Sequence, residues 1–156
     1  MSITFRAAVE TDEPTIRSIV RRAQLHPFNL HWQNFVIAVD GSTIIGVGQI
    51  KDHADGTREL ASMAILPAYQ KRGIGSEIIH QLITQDEGTI YLMCPDFRES
   101  FYRRFDFQTI TGSEIPRSLR GWVRLGKWFA AIMTLIGSDE FTILAMKRDP
   151  QIKIEE

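Results

Sequence analysis

The stretch from Leu60 to Ser76 constrains this chain most. It runs β-rich into Pro67, crosses a short loop carrying Gly73 and Gly75, and opens an apolar-faced helix at once. The first amides of such a helix have no intrahelical acceptor and lie at the positive end of its dipole. Glycines beside them remove the Cβ atoms that would hold a ligand off the backbone. Lys71 and Arg72 add positive charge. The junction therefore suits an anion such as a pyrophosphate. It lacks the Lys-Ser/Thr ending of a nucleotide P-loop and the third glycine of a dinucleotide-binding turn. An isolated pair of glycines would be no more than a helix start, so its neighbours decide its meaning.

Upstream, Ile3 to Ala7 alternates as an edge strand does. Thr11-Asp12-Glu13-Pro14 offers cap and first-turn chemistry for a helix carrying Ile16, Ile19, Val20 and Ala23 on one face. Two β-rich runs, Phe35 to Val39 and Thr43 to Ile50, flank Asp40-Gly41, a hairpin signal. A third strand follows from Arg58 to Leu66. Downstream, Ile74, Ile78, Ile79, Leu82 and Ile83 line one helix face. Thr89 to Met93 reads as a buried strand and Phe97 to Phe105 as a short helix. Phe107 to Thr111 and Glu140 to Met146 read as closing strands. The pattern is α/β, mixed with α+β character, around one largely antiparallel sheet of about seven strands flanked by helices.

The 156 residues, with 44% hydrophobic and 24% charged, read as a single globular domain, 1–156. A net charge of −1 argues against coating nucleic acid, and no nucleic-acid partner is expected. Cys94 is the only cysteine, which excludes an intrachain disulfide framework; a buried structural thiol is expected there. His26, His31, His53 and His80 are scattered without ligand spacing, so no metal site is expected. The opening residues, Met1 to Pro14, carry no basic region followed by an apolar run, so a signal peptide is not expected. Trp128 to Ile136, the longest greasy run, is about half the roughly 20 residues a membrane span needs. A cytoplasmic protein is the expectation.

Taken together, these segments resemble the GCN5-related N-acetyltransferase (GNAT) superfamily. Gln70-Lys-Arg-Gly-Ile-Gly75 matches its Gln/Arg-x-x-Gly-x-Gly/Ala acetyl-CoA motif, and Met63-Ala-Ile-Leu-Pro67 is similar to the strand before it. Phe101-Tyr102-Arg-Arg-Phe-Asp-Phe107 is similar to the family's Tyr-x-x-x-Gly-Phe segment. The resemblance covers most of residues 3–111 and 140–147.

The resemblance implies an N-acetyltransferase that moves an acetyl group from acetyl-CoA to a primary amine by direct attack in a ternary complex, with no metal. Gln70 and the amides of Lys71, Arg72, Gly73, Ile74, Gly75 and Ser76 would hold the pyrophosphate. The backbone of Met63, Ala64 and Ile65 would pair with pantetheine, whose two amides mimic a peptide edge. Tyr102 would protonate the leaving thiolate, or else serve as a core tyrosine. Glu59, eleven residues before Gln70, stands where histone-acetylating members carry a base; it reads equally as a strand-end carboxylate beside Arg58. By period two Glu59, Ala61, Met63 and Ile65 share a strand face. Two departures stand out. Asp106 replaces the family's usual glycine and implies a different turn, and Pro95 stands near a common asparagine. The rival reading is a non-catalytic CoA-binding or interaction module on the same fold. The acceptor the resemblance implies is an amine-bearing small molecule or a protein amine.

Residues 113–138 form an insert between the last two strands. Arg117, Arg120, Arg124 and Lys127 recur as a basic stripe, and Leu119, Trp122, Val123, Phe129, Ala130, Met133 and Ile136 as one apolar side, with Trp128 at the boundary. Three readings stand: a helix packed on the core, a lid for the acceptor, and a membrane-surface or homodimer contact.

Overall fold

The computed structural model describes residues 2–151. Its seven strands form a mostly antiparallel sheet accompanied by four α-helices, the mixed α/β class expected from the pattern. The chain groups into two compact units, Met1–Lys51 with Glu59–Glu87, and Asp52–Arg58 with Gly88–Glu156.

The first unit opens with β1 (Ile3–Ala7), which pairs antiparallel with β2 (Phe35–Asp40) from Ile3↔Asp40 to Ala7↔Val36. Between them α1 (Glu13–Arg22) begins with Pro14 in its first turn and buries Ile16, Ile19 and Val20. Asp12 ties the entry of α1 to β1. Its carboxylate takes two bonds from Arg6, at 2.7 and 3.1 Å, and one from the Val9 amide at 2.8 Å. The Arg6 guanidinium holds its pKa below the usual carboxylate range.

Gly41, at φ +61°, makes the tight turn into β3 (Thr43–Asp52). The third strand is β4 (Arg58–Ile65), and α2 (Ile74–Thr84) follows it. Within this unit the strands lie in the order β1-β2-β3-β4. Gly46 and Gly48 let α2 approach β3 closely. A Cβ on Gly46 would lie 3.2 Å from Ile78 Cδ1, and one on Gly48 would lie 2.8 Å from Ile78 Cγ2. On the other side, Phe35, Ile37, Val39, Val47 and Ala64 pack with Ile16, Ile19 and Val20 of α1.

The second unit carries β5 (Ile90–Pro95), β6 (Gln108–Ile110) and β7 (Ile143–Arg148), in the order β5-β7-β6 with both pairings antiparallel. The short helix α3 (Glu99–Arg103) links β5 to β6. The insert folds as α4 (Arg117–Leu135), whose Leu119 and Val123 pack with Ile110, Ile115 and Ala145. Asp55, in the turn between β3 and β4, accepts the Ser118 amide at 3.2 Å and so caps the first turn of α4 from outside the helix.

Four expectations change. The last strand begins at Ile143 rather than Glu140, because its pairing starts opposite Pro95. Asp106 sits at φ +67°, the left-handed region glycine favours, so the turn keeps a glycine-type backbone instead of a different one. Aspartate tolerates that region because its short side chain bonds locally, and here Gln151 also donates to Asp106 at 2.7 Å. Ser62 breaks the alternation of β4 at φ +56°, so Glu59 and Met63 do not lie on one uninterrupted face; Glu59 and Leu60, adjacent in sequence, are both buried. Finally, the single apolar side expected for the insert divides. Leu119, Val123 and Ala130 are buried, while Trp122, Phe129 and Ile136 face outward.

Candidate active site

The loop before α2 is built to present its backbone. Lys71 and Gly73 both take positive φ, +63° and +79°. Gly73 is the N-cap of α2, and nothing lies within 4 Å of where its Cβ would be. A left-handed residue followed by helical ones turns successive N–H groups into a concavity suited to an anion. The first helical bond runs from the Glu77 amide to the Gly73 carbonyl at 3.1 Å. The amides of Ile74, Gly75 and Ser76 therefore precede any intrahelical acceptor. Glu77, the acid of this first turn, accepts from Gln81 one turn further on, at 3.1 Å.

Side chains brace the loop. Gln70 donates from Nε2 to the Ile65 carbonyl at 3.1 Å, tying the loop back to the end of β4. The Arg72 guanidinium lies 5.4 Å from the centre of the Tyr69 ring, and Tyr69 in turn donates to Asp40 at 2.8 Å. Arg72 is thus steered by a ring that is itself anchored to β2, while Lys71 is exposed.

Glu59, Met63, Ala64 and Ile65 lie on β4 in the same unit as the loop. Around Glu59 the strands carry polar groups that no motif announced. Gln49 is fully buried; its Nε2 donates to Ser62 Oγ at 2.9 Å and to the Asn29 carbonyl at 3.3 Å. Because a carbonyl can only accept, the orientation of the Gln49 amide is determined. Lys51 is buried too, donating to the Phe28 carbonyl at 3.3 Å. Burial lowers its pKa, and the charge of Glu59 opposes that shift. The visible signal was the placement of Gln49 and Lys51 in step with buried Ile45 and Val47 on alternate positions of β3. A cavity of about 380 Å³ in this unit is lined by Glu13, Arg17, His31 and Trp32 among others, and by none of the motif residues.

Tyr102 belongs to α3 in the second unit. Its ring packs edge-on against Phe101 and Phe107, with centroids 5.1 and 6.2 Å apart. Among the described residues its hydroxyl has no hydrogen-bond partner. Burial pushes the phenol up to about 12, with Cys94 adding to the shift and Arg98 opposing it. Cys94 itself is 4% exposed and sits 3.8 Å from the Met146 sulfur. Burial pushes that thiol up to about 11. A thiol so protonated is a packing group rather than a nucleophile.

A family model described as an acetyltransferase (GNAT) domain matches residues 31–109, which span β2 to β6 and contain both the Gly73 loop and Tyr102. The chain belongs to the GNAT acetyltransferase family. Solved structures agree on the fold. N-acetylglutamate synthase from Neisseria gonorrhoeae, complexed with coenzyme A and N-acetyl-glutamate, aligns at TM-score 0.72 and 19% identity over 97% of this chain. This GNAT chain spans only 36% of that enzyme's length. Rv2747 from Mycobacterium tuberculosis, in complex with CoA, aligns at 0.68 and 17% identity, covering 95% of this chain and 99% of its own. The ribosomal-protein-S18-alanine N-acetyltransferase from Escherichia coli aligns at 0.68 and 16% identity, covering 99% and 98%. A comparison with curated protein sequences finds no match.

Proposed function

We propose that this GNAT protein transfers the acetyl group of acetyl-CoA to a primary amine by direct attack in a ternary complex. The observation that carries the reading is the Gly73 loop, with its two left-handed residues and the open helix end behind it, in a chain of this family. Coenzyme A in the Neisseria and Mycobacterium structures supports the same choice of co-substrate. In this reading residues 1–156 act as one transferase domain with 113–138 inserted.

Each residue then has a task. The amides of Gly73 to Ser76 bind the pyrophosphate, and Lys71 and Arg72 neutralise its charge. Gln70 shapes this loop through its bond to the Ile65 carbonyl. Backbone groups of Met63, Ala64 and Ile65 pair with the pantetheine amides as an added strand would. Pro95, standing near the family's asparagine, offers no side-chain amide for that arm.

The chemistry needs a neutral nucleophile and a protonated leaving group. The amine nitrogen bonds to the thioester carbon, the carbon–sulfur bond breaks, and sulfur leaves with the electron pair. Tyr102 gives that sulfur its phenolic proton. With a pKa of about 12 the phenol is protonated at neutral pH, so the donor is always loaded. Glu59 receives the proton of the amine, directly or through a water molecule.

The test begins with acetyl-CoA titrated into the protein while its melting temperature is followed, with desulfo-CoA and ATP as controls. At 100 times Kd the added stability is about 2.7 kcal/mol, and it should appear with the CoA compounds alone. Transfer to an amine panel is then followed by thiol release. Tyr102→Phe should lower kcat by about a hundredfold at unchanged acetyl-CoA binding. A parent protein that binds CoA tightly yet transfers to no amine would make it a binding module instead.

A further inference from the structure

At 100° per residue, α4 divides into three sectors rather than two. One is buried in its own unit through Leu119, Val123 and Ala130, with Gly126 so close to β7 that a Cβ there would lie 2.8 Å from Ile143. A second carries Arg117, Arg120, Arg124 and Lys127, all exposed. The third is apolar and faces outward. Trp122, Leu125, Trp128, Phe129, Ile132 and Ile136 lie on it, with Trp128 70% and Ile136 71% exposed. From Arg117 to Gly137 the sequence holds no acidic residue.

We propose that this face of α4 docks on an anionic lipid surface. The apolar sector, from Trp128 round to Trp122, spans about 120° of the helix circumference at 3.6 residues per turn. A partner helix needs only a narrow seam, whereas a lipid surface covers a broad sector at once. The cations flank that sector on one side of a helix that holds no acidic residue, Arg120 also donating to the Ile115 and Ser113 carbonyls, which matches a negative headgroup layer. Trp128 lies at the border between the apolar and basic sectors, where an indole ring fits the interfacial zone. Among the described residues no helix is long and apolar enough to cross a membrane. The contact is therefore one of lying in the headgroup region, with the core-facing sector keeping α4 fixed to the protein.

Co-sedimentation of the full chain with phosphatidylcholine vesicles, against vesicles with equimolar phosphatidylglycerol, tests it at about 0.1 M salt, where the Debye length is about 10 Å. Binding should be at least about tenfold tighter to the anionic vesicles and should fall as salt rises, with each cation contributing about fivefold. Arg124→Glu with Lys127→Glu, two exposed side chains, should weaken it by more than about 25-fold. Leu125→Gln with Phe129→Gln should abolish binding and the accompanying blue shift of tryptophan emission. If the apolar variant fails to fold, as judged by its circular dichroism, the charge reversal decides alone. Equal binding to both vesicle types, or none, overturns the proposal. So does a dimer in sedimentation equilibrium that the Leu125/Phe129 variant dissociates, because the face would then belong to a second copy.

Discussion

The start of α2 and the side of α4 are both basic, and they use their charge in opposite ways. Before α2 two cations stand beside a helix end whose first amides, Ile74 to Ser76, precede any intrahelical acceptor. Along α4 four cations spread over three turns, beside a broad apolar sector. Convergent charge with backbone donors fits a compact anion of fixed geometry. Distributed charge beside exposed aromatic rings fits an extended surface that has no fixed geometry. Counting Lys and Arg would not separate these cases; the placement of main-chain donors and apolar area does.

The largest effect comes from exchanging the charges one region at a time. Lys71→Glu with Arg72→Glu should weaken acetyl-CoA by at least about a hundredfold, since bonds to charged groups contribute about 1.5–3 kcal/mol each. Vesicle binding should not change. If both affinities fall together, the two regions are one surface and the comparison breaks.

Glycine replacements sharpen the contrast more finely. Gly73→Val forces a β-branched residue to φ +79° and should cost about tenfold in acetyl-CoA affinity, read by calorimetric titration. Gly121, on α4, has nothing within 4 Å of an added Cβ. Gly121→Ala should therefore stabilise the protein by about 0.5–1 kcal/mol in a urea titration. A stabilising Gly73→Val would mean that the loop does not need its left-handed turn.

The smallest effect concerns the cap of α4. Asp55→Ala removes the acceptor of the Ser118 amide and should lower the melting temperature by about 2–4 °C. Bonds from Thr57 hold the Asp55 carboxyl down at about 2, with the Ser118 amide contributing. A group whose pKa is lowered by folding contributes stability that is complete above its ordinary value near 3.8 and is lost as pH falls through about 2. The parent should thus lose part of its margin over Asp55→Ala between those pH values, and an unchanging difference would mean that folding does not lower the Asp55 pKa.

Most elements were legible because local rules agreed with one another. Asp40-Gly41 does turn β2 into β3, Pro14 does open α1, and the Gly73 loop does lead into α2. The misses share a cause, which is that periodicity describes faces but not what covers them. The apolar residues of α4 occupy two of its sectors, and the packing of Leu119 and Val123 on Ile110, Ile115 and Ala145, with Gly126 close to Ile143, selects the one that is buried. Period two likewise presumes extended backbone, and no residue type near Ser62 announces a left-handed one. Gln49 and Lys51 carry no such signal, because polar residues on a strand ordinarily mark its solvent side, whereas here the Gln49 amide nitrogen and the Lys51 ammonium find the carbonyls of Asn29 and Phe28 in the interior.

Cys94 has a practical consequence. It is the only thiol in the chain, it is buried, and burial pushes its pKa up to about 11, so in the folded protein it is both covered and protonated at neutral pH. Reagents that colour on meeting a free thiol will stay dark against the folded protein. The same reagents will flash when β5 opens, turning the lone thiol into a clock for the local unfolding of that strand.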